Sequence, residues 1–496
     1  MTHTFLKTLA AGTALMIAML GPLAAQPTTG ARIGMALEPP NLDPTAGAAA
    51  AIDEVVYANV FEGLTRFLPD GTIGPALAES WEVSDDQTTY TFTLREGASF
   101  HDGSTFDAED VKFSLDRARA EDSTNAQKVL FADIASVEVQ DPRTVVVTLS
   151  RPNGSFLMNM AWGDAVIVAP ESAENNATQP VGTGPFTFET WVQGDSVTLT
   201  RNEDYWGEPA QLETVTFRFI GDPTAAFAAM MAGDLDAYPN FPAPENLVQF
   251  ESDPRFAVII GSTEGETILG INNAKEPFDD VKVREAIAHA IDRQAIIDGA
   301  MFGYGTPIGT HFAPHNPAYL DLTEQSAHDP DRARELLAEA GLADGFETTL
   351  KLPPPSYARR GGEILASQLR EVGIEAEIIN LEWAQWLEEV FNGRDFDLTI
   401  VSHTEPMDIN IYGRDDYYFQ YSDPAFQDIL TRLDGTVDDA GRTELLQEAQ
   451  RKIADDYVNG YLFQLAKTGV ADARLKGLWE NSPTQANDMT GVYWEE

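Results

Sequence analysis

The 496 residues carry 79 acidic against 32 basic side chains, a formal net charge of −47, which excludes nucleic acid or an anionic membrane surface as a partner. Hydrophobic residues make up 43% and charged residues 22%, the proportions of a folded chain rather than a disordered one. There is no cysteine, so disulfides, thiol nucleophiles and a lipid-modified cysteine are all excluded, and stability must come from burial.

At the N-terminus, Lys7 gives a positive start, Thr8 to Leu20 is apolar and uncharged, and Gly21-Pro22-Leu23-Ala24-Ala25 ends in small residues. That is the pattern of an export signal, residues 1–25, cleaved after Ala25. Its apolar part, about 13 residues, is too short for a membrane span of about 20. The mature chain is therefore expected in a periplasm, neither lipid-anchored nor inserted in a membrane. Its length suggests two or three domains. Most of the acidic excess reads as a solvated surface suited to a saline medium; attraction of cationic ligands is the second reading.

Up to about residue 265 strand signals dominate. Tyr90, Phe92 and Leu94 alternate with threonines, and Val215, Phe217 and Phe219 alternate with Thr214, Thr216 and Arg218, as in half-buried strands. A helix from Pro223 to Met231 has Asp222 as its cap and Gly233 after its last turn. From about residue 266 helices and strands alternate. Asp280 to Asp292 places Val283, Ile287, Ala290 and Ile291 on one face. Asp329 caps the next helix, Pro330 opens it, Ala333, Leu336, Leu337 and Ala340 line it, and Gly341 closes it.

Strand 346–352, helix 358–372, strand 374–379, helix 383–391 and strand 396–401 then form a βαβαβ run, which predicts a parallel sheet with right-handed crossovers. Ligands bind beyond the carboxyl ends of such strands, so the segments Pro353 to Tyr357, Asn380 to Trp383 and Ser402 to Tyr412 are the candidate site. The last contains His403, Thr404, Glu405, Asp408 and Tyr412, two carboxylates among aromatics, which suits a cation with apolar attachments. Glu405 and Asp408 could equally be loop acids facing water. The helix after Tyr357 carries Arg359 and Arg360, which could receive a carboxylate or merely solvate its surface. Of Trp383 and Trp386, three apart, one is expected at the cleft and the other in the core.

No G-x-S-x-G elbow or H-E-x-x-H helix is present. Gly182-Thr183-Gly184-Pro185 lacks dinucleotide spacing and reads as a turn. His311 and His315 have a metal-like separation but lie in a Gly- and Pro-rich stretch rather than on a helix, so no metal or other cofactor is expected and no enzyme activity is assigned.

The run Gly71-Thr72-Ile73-Gly74-Pro75-Ala76-Leu77-Ala78-Glu79-Ser80-Trp81, continuing through Tyr90 to Arg95, Phe100-His101-Asp102-Gly103 and Ala108-Glu109-Asp110-Val111, resembles the signature of family-5 extracellular solute-binding proteins, the dipeptide- and oligopeptide-binding family of ABC importers. Glu38 to Pro44, Gly182 to Phe186, Asn202 to Trp206 and Phe278 to Arg293 extend the likeness over nearly the whole mature chain. The resemblance implies an α/β, two-lobe periplasmic binding fold of the large, three-subdomain type, with a mixed sheet in each lobe and a hinge between them. Lobe I would span 26–265 plus 473–496, with an inserted subdomain at 48–178, and lobe II would span 266–472. It implies a small-molecule or peptide ligand enclosed by hinge closure, a membrane permease of an ABC importer as partner, and action as a monomer. In peptide-binding relatives an aspartate in the loop after the late strand receives the peptide ammonium; Asp408 best matches it, although His403 stands where tryptophan is common and the loop is about one residue shorter. The expected ligand residues are thus Asp408, Glu405, His403, Thr404, Tyr412, Trp383, Arg359 and Tyr357. Alternative ligands are an oligosaccharide, stacked on Trp383, Trp386 and Tyr412, or nickel, a metal chelate or haem; a secreted hydrolase is the reading from another class.

Overall fold

The computed structural model describes residues 29–496 apart from positions 48, 406 and 437; the expected signal, 1–25, lies outside the described residues. Local signals in the chain produce the elements that physical chemistry assigns to them. Strand Thr89–Leu94 alternates half-buried threonines with buried Tyr90, Phe92 and Leu94. Helices Pro223–Ala232, Val281–Ala290 and Pro330–Glu339 begin where the side chains of Asp222, Asp280 and Asp329 accept backbone N–H bonds. Asp292, Asp423 and Asp438 do the same for three more helices. Part of the acidic excess therefore caps helices, where carboxylates are favoured by free N–H groups and the helix dipole.

The expected sheets of the two lobes run on into each other. One sheet of eleven strands has the order 374–380, 346–352, 398–403, 256–271, 460–472, 237–238, 30–35, 214–219, 196–201, 186–192, with 306–307 added beside 460–472. Phe346–Leu352 pairs in parallel with both Ile374–Asn380 and Leu398–His403, as a βαβαβ run requires. The helix expected over 383–391 starts as one α turn, Trp383–Trp386, and widens into a π-helical turn over Leu387–Asn392.

Two long strands join the halves. Phe256–Ile271 and Gly460–Asp472 pair antiparallel along their length, from Phe256 opposite Asp472 to Leu269 opposite Gly460, with the register shifting between Ser262 and Glu266 and again between Thr267 and Ile268. Residues 266–271 also pair with Leu398–His403, while Val470 and Ala471 pair with Ala237–Tyr238. The same two strands thus serve both lobes. Separate apolar cores flank them, one around Ile33, Phe61, Phe186 and Phe217, another around Leu269, Ile287, Leu337, Leu350 and Leu365. The C-terminal segment completes the first: Met489 and Val492 are buried in it, Met489 N donates to Asn59 Oδ1 at 2.9 Å, Asn59 Nδ2 donates to the Asn487 carbonyl at 2.9 Å, and Trp494 Nε1 donates to the Gly30 carbonyl at 3.0 Å. A four-stranded antiparallel sheet, in the order 78–83, 89–94, 144–149, 134–141, carries a further core of its own with helix Ala108–Arg119.

Several residues of the family-like signature prove to be structural. Asp102 accepts from Ser104 N in a turn where Gly103 has φ 86°, and Asp110 accepts from Asp107 N at a helix start. Buried Glu62 gathers three donors, Tyr205 Oη at 2.9 Å, Trp206 Nε1 at 2.8 Å and Thr183 Oγ1 at 2.8 Å. Gly182 lies so close to this chain segment that a Cβ there would stand 1.9 Å from the Val60 carbonyl oxygen, so the Gly-Thr-Gly-Pro turn is a packing requirement. Replacing Glu62 by Ala strands three donors, Thr183 buried and Tyr205 and Trp206 half-buried, each costing about 1–3 kcal/mol. Glu62→Ala should therefore lose at least about 3 kcal/mol in urea denaturation; an unchanged midpoint would refute this account of the signature.

Candidate ligand site between the lobes

A cavity of about 360 Å³ opens where the two lobes meet. Its floor is the joining strands, through Thr263, Glu264, Leu465 and Ala466. One wall comes from the first lobe, through Glu54 of helix Ala50–Val56, Asn240 to Pro242 and the C-terminal residues Ser482 to Ala486. The other comes from the second lobe, through Met301, Ser356, Tyr357 and Thr404. The lobes also touch directly: Gln485 Nε2 donates to Thr404 Oγ1 at 2.8 Å, and Arg360 pairs with Glu245 at 3.1 Å. Arg151 pairs with Asp434 at 2.6 Å across the side of the inserted sheet.

Two of the three strand-end segments reach the cavity and one does not. Ser356 and Tyr357 follow Phe346–Leu352, and Thr404 follows Leu398–His403; both reach the cavity. The segment 380–383 does not, because its strand, Ile374–Asn380, is the outermost of the sheet and lies farthest from the joining strands. Trp383 accordingly stands 41% exposed, edge-on to Trp386, while Trp386 is buried and donates to Thr399 Oγ1. Neither tryptophan lines the cavity. Arg359 is also turned away: its guanidinium donates to the Leu381 carbonyl and to Glu382, each at 3.1 Å.

The remaining expected residues form a buried cluster beside the cavity. Asp408 Oδ1 lies 2.5 Å from His311 Nε2 and its other oxygen 3.8 Å from His403 Nδ1. Tyr412 Oη sits 3.2 Å from His311 Nδ1 and accepts from Asn459 Nδ2 at 3.3 Å; His403 Nε2 lies 3.1 Å from Tyr418 Oη. Burial raises the Asp408 carboxyl, but the His311 and His403 imidazoles together with a backbone hydrogen bond hold the group below the ordinary carboxylate range. His403 is pushed down to about 4 by burial and is neutral at pH 7. Glu405 is exposed beside the cluster. Of the eight expected residues, then, Tyr357 and Thr404 line the cavity, Asp408, His403 and Tyr412 stand behind it, Glu405 borders them, and Arg359 and Trp383 are elsewhere.

Two cavity acids escaped the chain-order reading. Glu54 faces the cavity from a short helix, and burial raises its carboxyl to about 7, opposed by Lys467. Glu264, which bonds His315, stands two residues before Glu266 on the joining strand, and both are buried. Two glutamates at alternate positions leading into the apolar run Ile268-Leu269 were a usable signal of a polar, enclosed stretch. The second-lobe wall offers the opposite chemistry: helix Ser356–Glu371 begins at Pro355 with no side-chain cap, leaving backbone N–H groups of Ser356 and Tyr357 available at the cavity.

Among the described residues no helix is long and apolar enough to cross a membrane. The family model described as bacterial extracellular solute-binding proteins, family 5 middle, matches residues 72–421. The glutathione-binding protein GsiB of Salmonella paratyphi A is 35% identical over 397 residues, covering 78% of this chain and 76% of that one. DppA of Helicobacter pylori, solved in complex with the peptide STSA, superimposes with a TM-score of 0.80 at 25% identity over 94% of this chain and 98% of its own. AgaA of A. tumefaciens R10, solved with agropinic acid, does so with a TM-score of 0.80 at 27% identity over 94% and 99%. The two-lobe architecture, the strand-joined cleft and these likenesses agree, and the chain belongs to the family-5 bacterial extracellular solute-binding proteins.

Proposed function

We propose that this chain is the periplasmic binding component of an ABC importer and that it encloses a short zwitterionic peptide or amino-acid conjugate of about glutathione's size. The observation that carries the reading is the pairing of opposite chemistries across one cavity. Glu54 and Glu264 present carboxylates to an ammonium, and the uncapped start of helix Ser356–Glu371 presents N–H groups to a carboxylate. Charge-assisted bonds made inside a closed cleft are the strong kind. A volume of about 360 Å³ is near the lower end of ligand pockets, roughly 300–1,000 Å³, and suits two or three residues. The relative named for glutathione supports this size class. The sugar reading loses the tryptophan stacking surface, since Trp383 and Trp386 do not line the cavity, and the family likeness disfavours an enzyme. Delivery to a membrane permease and export with removal of residues 1–25 complete the proposal.

The purified mature protein should gain thermal stability with glutathione or unblocked di- and tripeptides and should yield no cleavage products. N-acetylated peptides should bind at least about 10-fold more weakly, as should every unblocked peptide to Glu54→Gln or Glu264→Gln, a loss of about 1.4 kcal/mol or more. Equal binding of blocked and free peptides by calorimetry would overturn the ammonium assignment.

The pH dependence has a defined sign. The folded-state carboxyl of Glu54 is raised to about 7, and a bound ammonium favours its ionised form, so binding releases a proton below that pH. Affinity should rise as pH increases towards 7 and fall again above about 8 as the peptide amine deprotonates. In Glu54→Gln the rise towards 7 should flatten. Calorimetric titration in buffers of different ionisation enthalpy reads the proton release directly, and a wild-type profile already flat between pH 5 and 7 would contradict the assignment.

A further inference from the structure

Beneath Glu264 and His315 lies a second, more enclosed set of donors. Glu266 of the joining strand, His311 of the Gly- and Pro-rich stretch and Asp408 of the late loop each offer one ligand atom within 4.8 Å of the other two. Glu266 is 2% and His311 0% exposed. One oxygen of Glu266 accepts from Ala313 N at 3.1 Å, and the other, Oε2, is buried without a hydrogen-bond partner. Among the described residues no lysine or arginine pairs with Glu266 or Asp408; the only basic groups at Asp408 are the imidazoles of His311 and His403. Two carboxylates enclosed without a cationic side chain, one of them with an idle oxygen, are costly unless a positive charge joins them.

We propose that Glu266, His311 and Asp408 bind one divalent transition-metal ion of the zinc class, held by the protein itself and separate from the transported solute. One imidazole nitrogen and two carboxylate oxygens match zinc, cobalt or nickel, whereas calcium and magnesium favour all-oxygen sites. The ion takes the place of the His311–Asp408 hydrogen bond: Nε2 gives its lone pair to the metal, and the ring proton resides on Nδ1, facing Tyr412 Oη 3.2 Å away. Tyr412, itself held by Asn459, is thereby the outer partner that fixes the ring, a role metal-bound histidines generally require. His403 and Glu405 satisfy the same spacing with Asp408; exposed Glu405 marks the side from which an ion enters. The cavity is lined by Glu264 but not by Glu266, His311 or Asp408, so this site and the ammonium site are distinct, and the proposal does not depend on the ligand reading.

The test uses the whole mature protein, stripped with a chelator, reloaded with Zn²⁺, desalted and analysed for metal, with Co²⁺ absorption as a second readout. One ion per chain is expected, with zinc displacing cobalt, and peptide at saturation should leave the cobalt spectrum in place. Glu266→Gln and His311→Asn should weaken zinc at least about 100-fold, and Tyr412→Phe about 10-fold or more, with circular dichroism confirming that each variant is folded. Should the first two variants fail to fold, the wild-type stoichiometry and Tyr412→Phe still decide. Metal well below one ion per chain, equal zinc affinity in folded variants and wild type, a preference for calcium, or displacement of the ion by peptide would each overturn the proposal.

Discussion

The molecule turns on a backbone ladder. Phe256–Ile271 and Gly460–Asp472 are hydrogen-bonded to each other and shared by the sheets of both lobes, so each lobe's position is referred to the same pair of strands. A regular ladder would fuse the halves into one stiff body. The shifts after Ser262 and Thr267 interrupt it, and interrupted pairing bends and twists more easily than a continuous one. Those shifts fall at the floor of the cavity, next to Thr263 and Glu264, so any bend there would move the cavity lining with it. Closure by hinge motion then requires that the ligand contact both walls, since a solute binding one wall alone has no differential affinity for the closed state.

The electrostatics around this floor follow from enclosure. On the open surface of so acidic a chain a further carboxylate changes little, but Glu264, Glu266 and Asp408 gather in one poorly hydrated region. There a carboxylate either takes up a proton, finds an imidazole as Asp408 and Glu264 do, or waits for a positive guest. Direct contacts between lobes, Arg360 with Glu245 and Arg151 with Asp434, are by contrast partly exposed pairs, worth little individually and weakened by salt. The enclosed acids of the cavity are thus the stronger electrostatic feature of this region, and the outer pairs the weaker.

Much of the architecture was legible because it is written in local rules. Aspartate caps, alternating strands such as Thr89–Leu94 and the βαβαβ run each need only neighbouring residues to be recognised, and the strand-end rule points from that run to the cavity that Tyr357 and Thr404 line. It failed for 380–383 because rank within a sheet is a tertiary property: nothing in Ile374–Asn380 itself says that this strand is the outermost. The same limit hid Glu54, whose significance depends on a wall contributed by the opposite lobe. His311 and Asp408 are 97 residues apart, and only the fold reveals that the Gly- and Pro-rich stretch lies against the late loop. His311 lies on a loop, and its neighbours are set by how that loop packs, which no local pattern encodes.

The contacts of Met489, Asn487 and Trp494 with Asn59 and Gly30 carry a consequence for biogenesis. The half that emerges first from the ribosome cannot finish its own core until the final stretch of polypeptide arrives, more than 400 residues later. Pairings of such long sequence separation form slowly. A nascent chain of this design keeps that first core open until the segment around Met489 has been made.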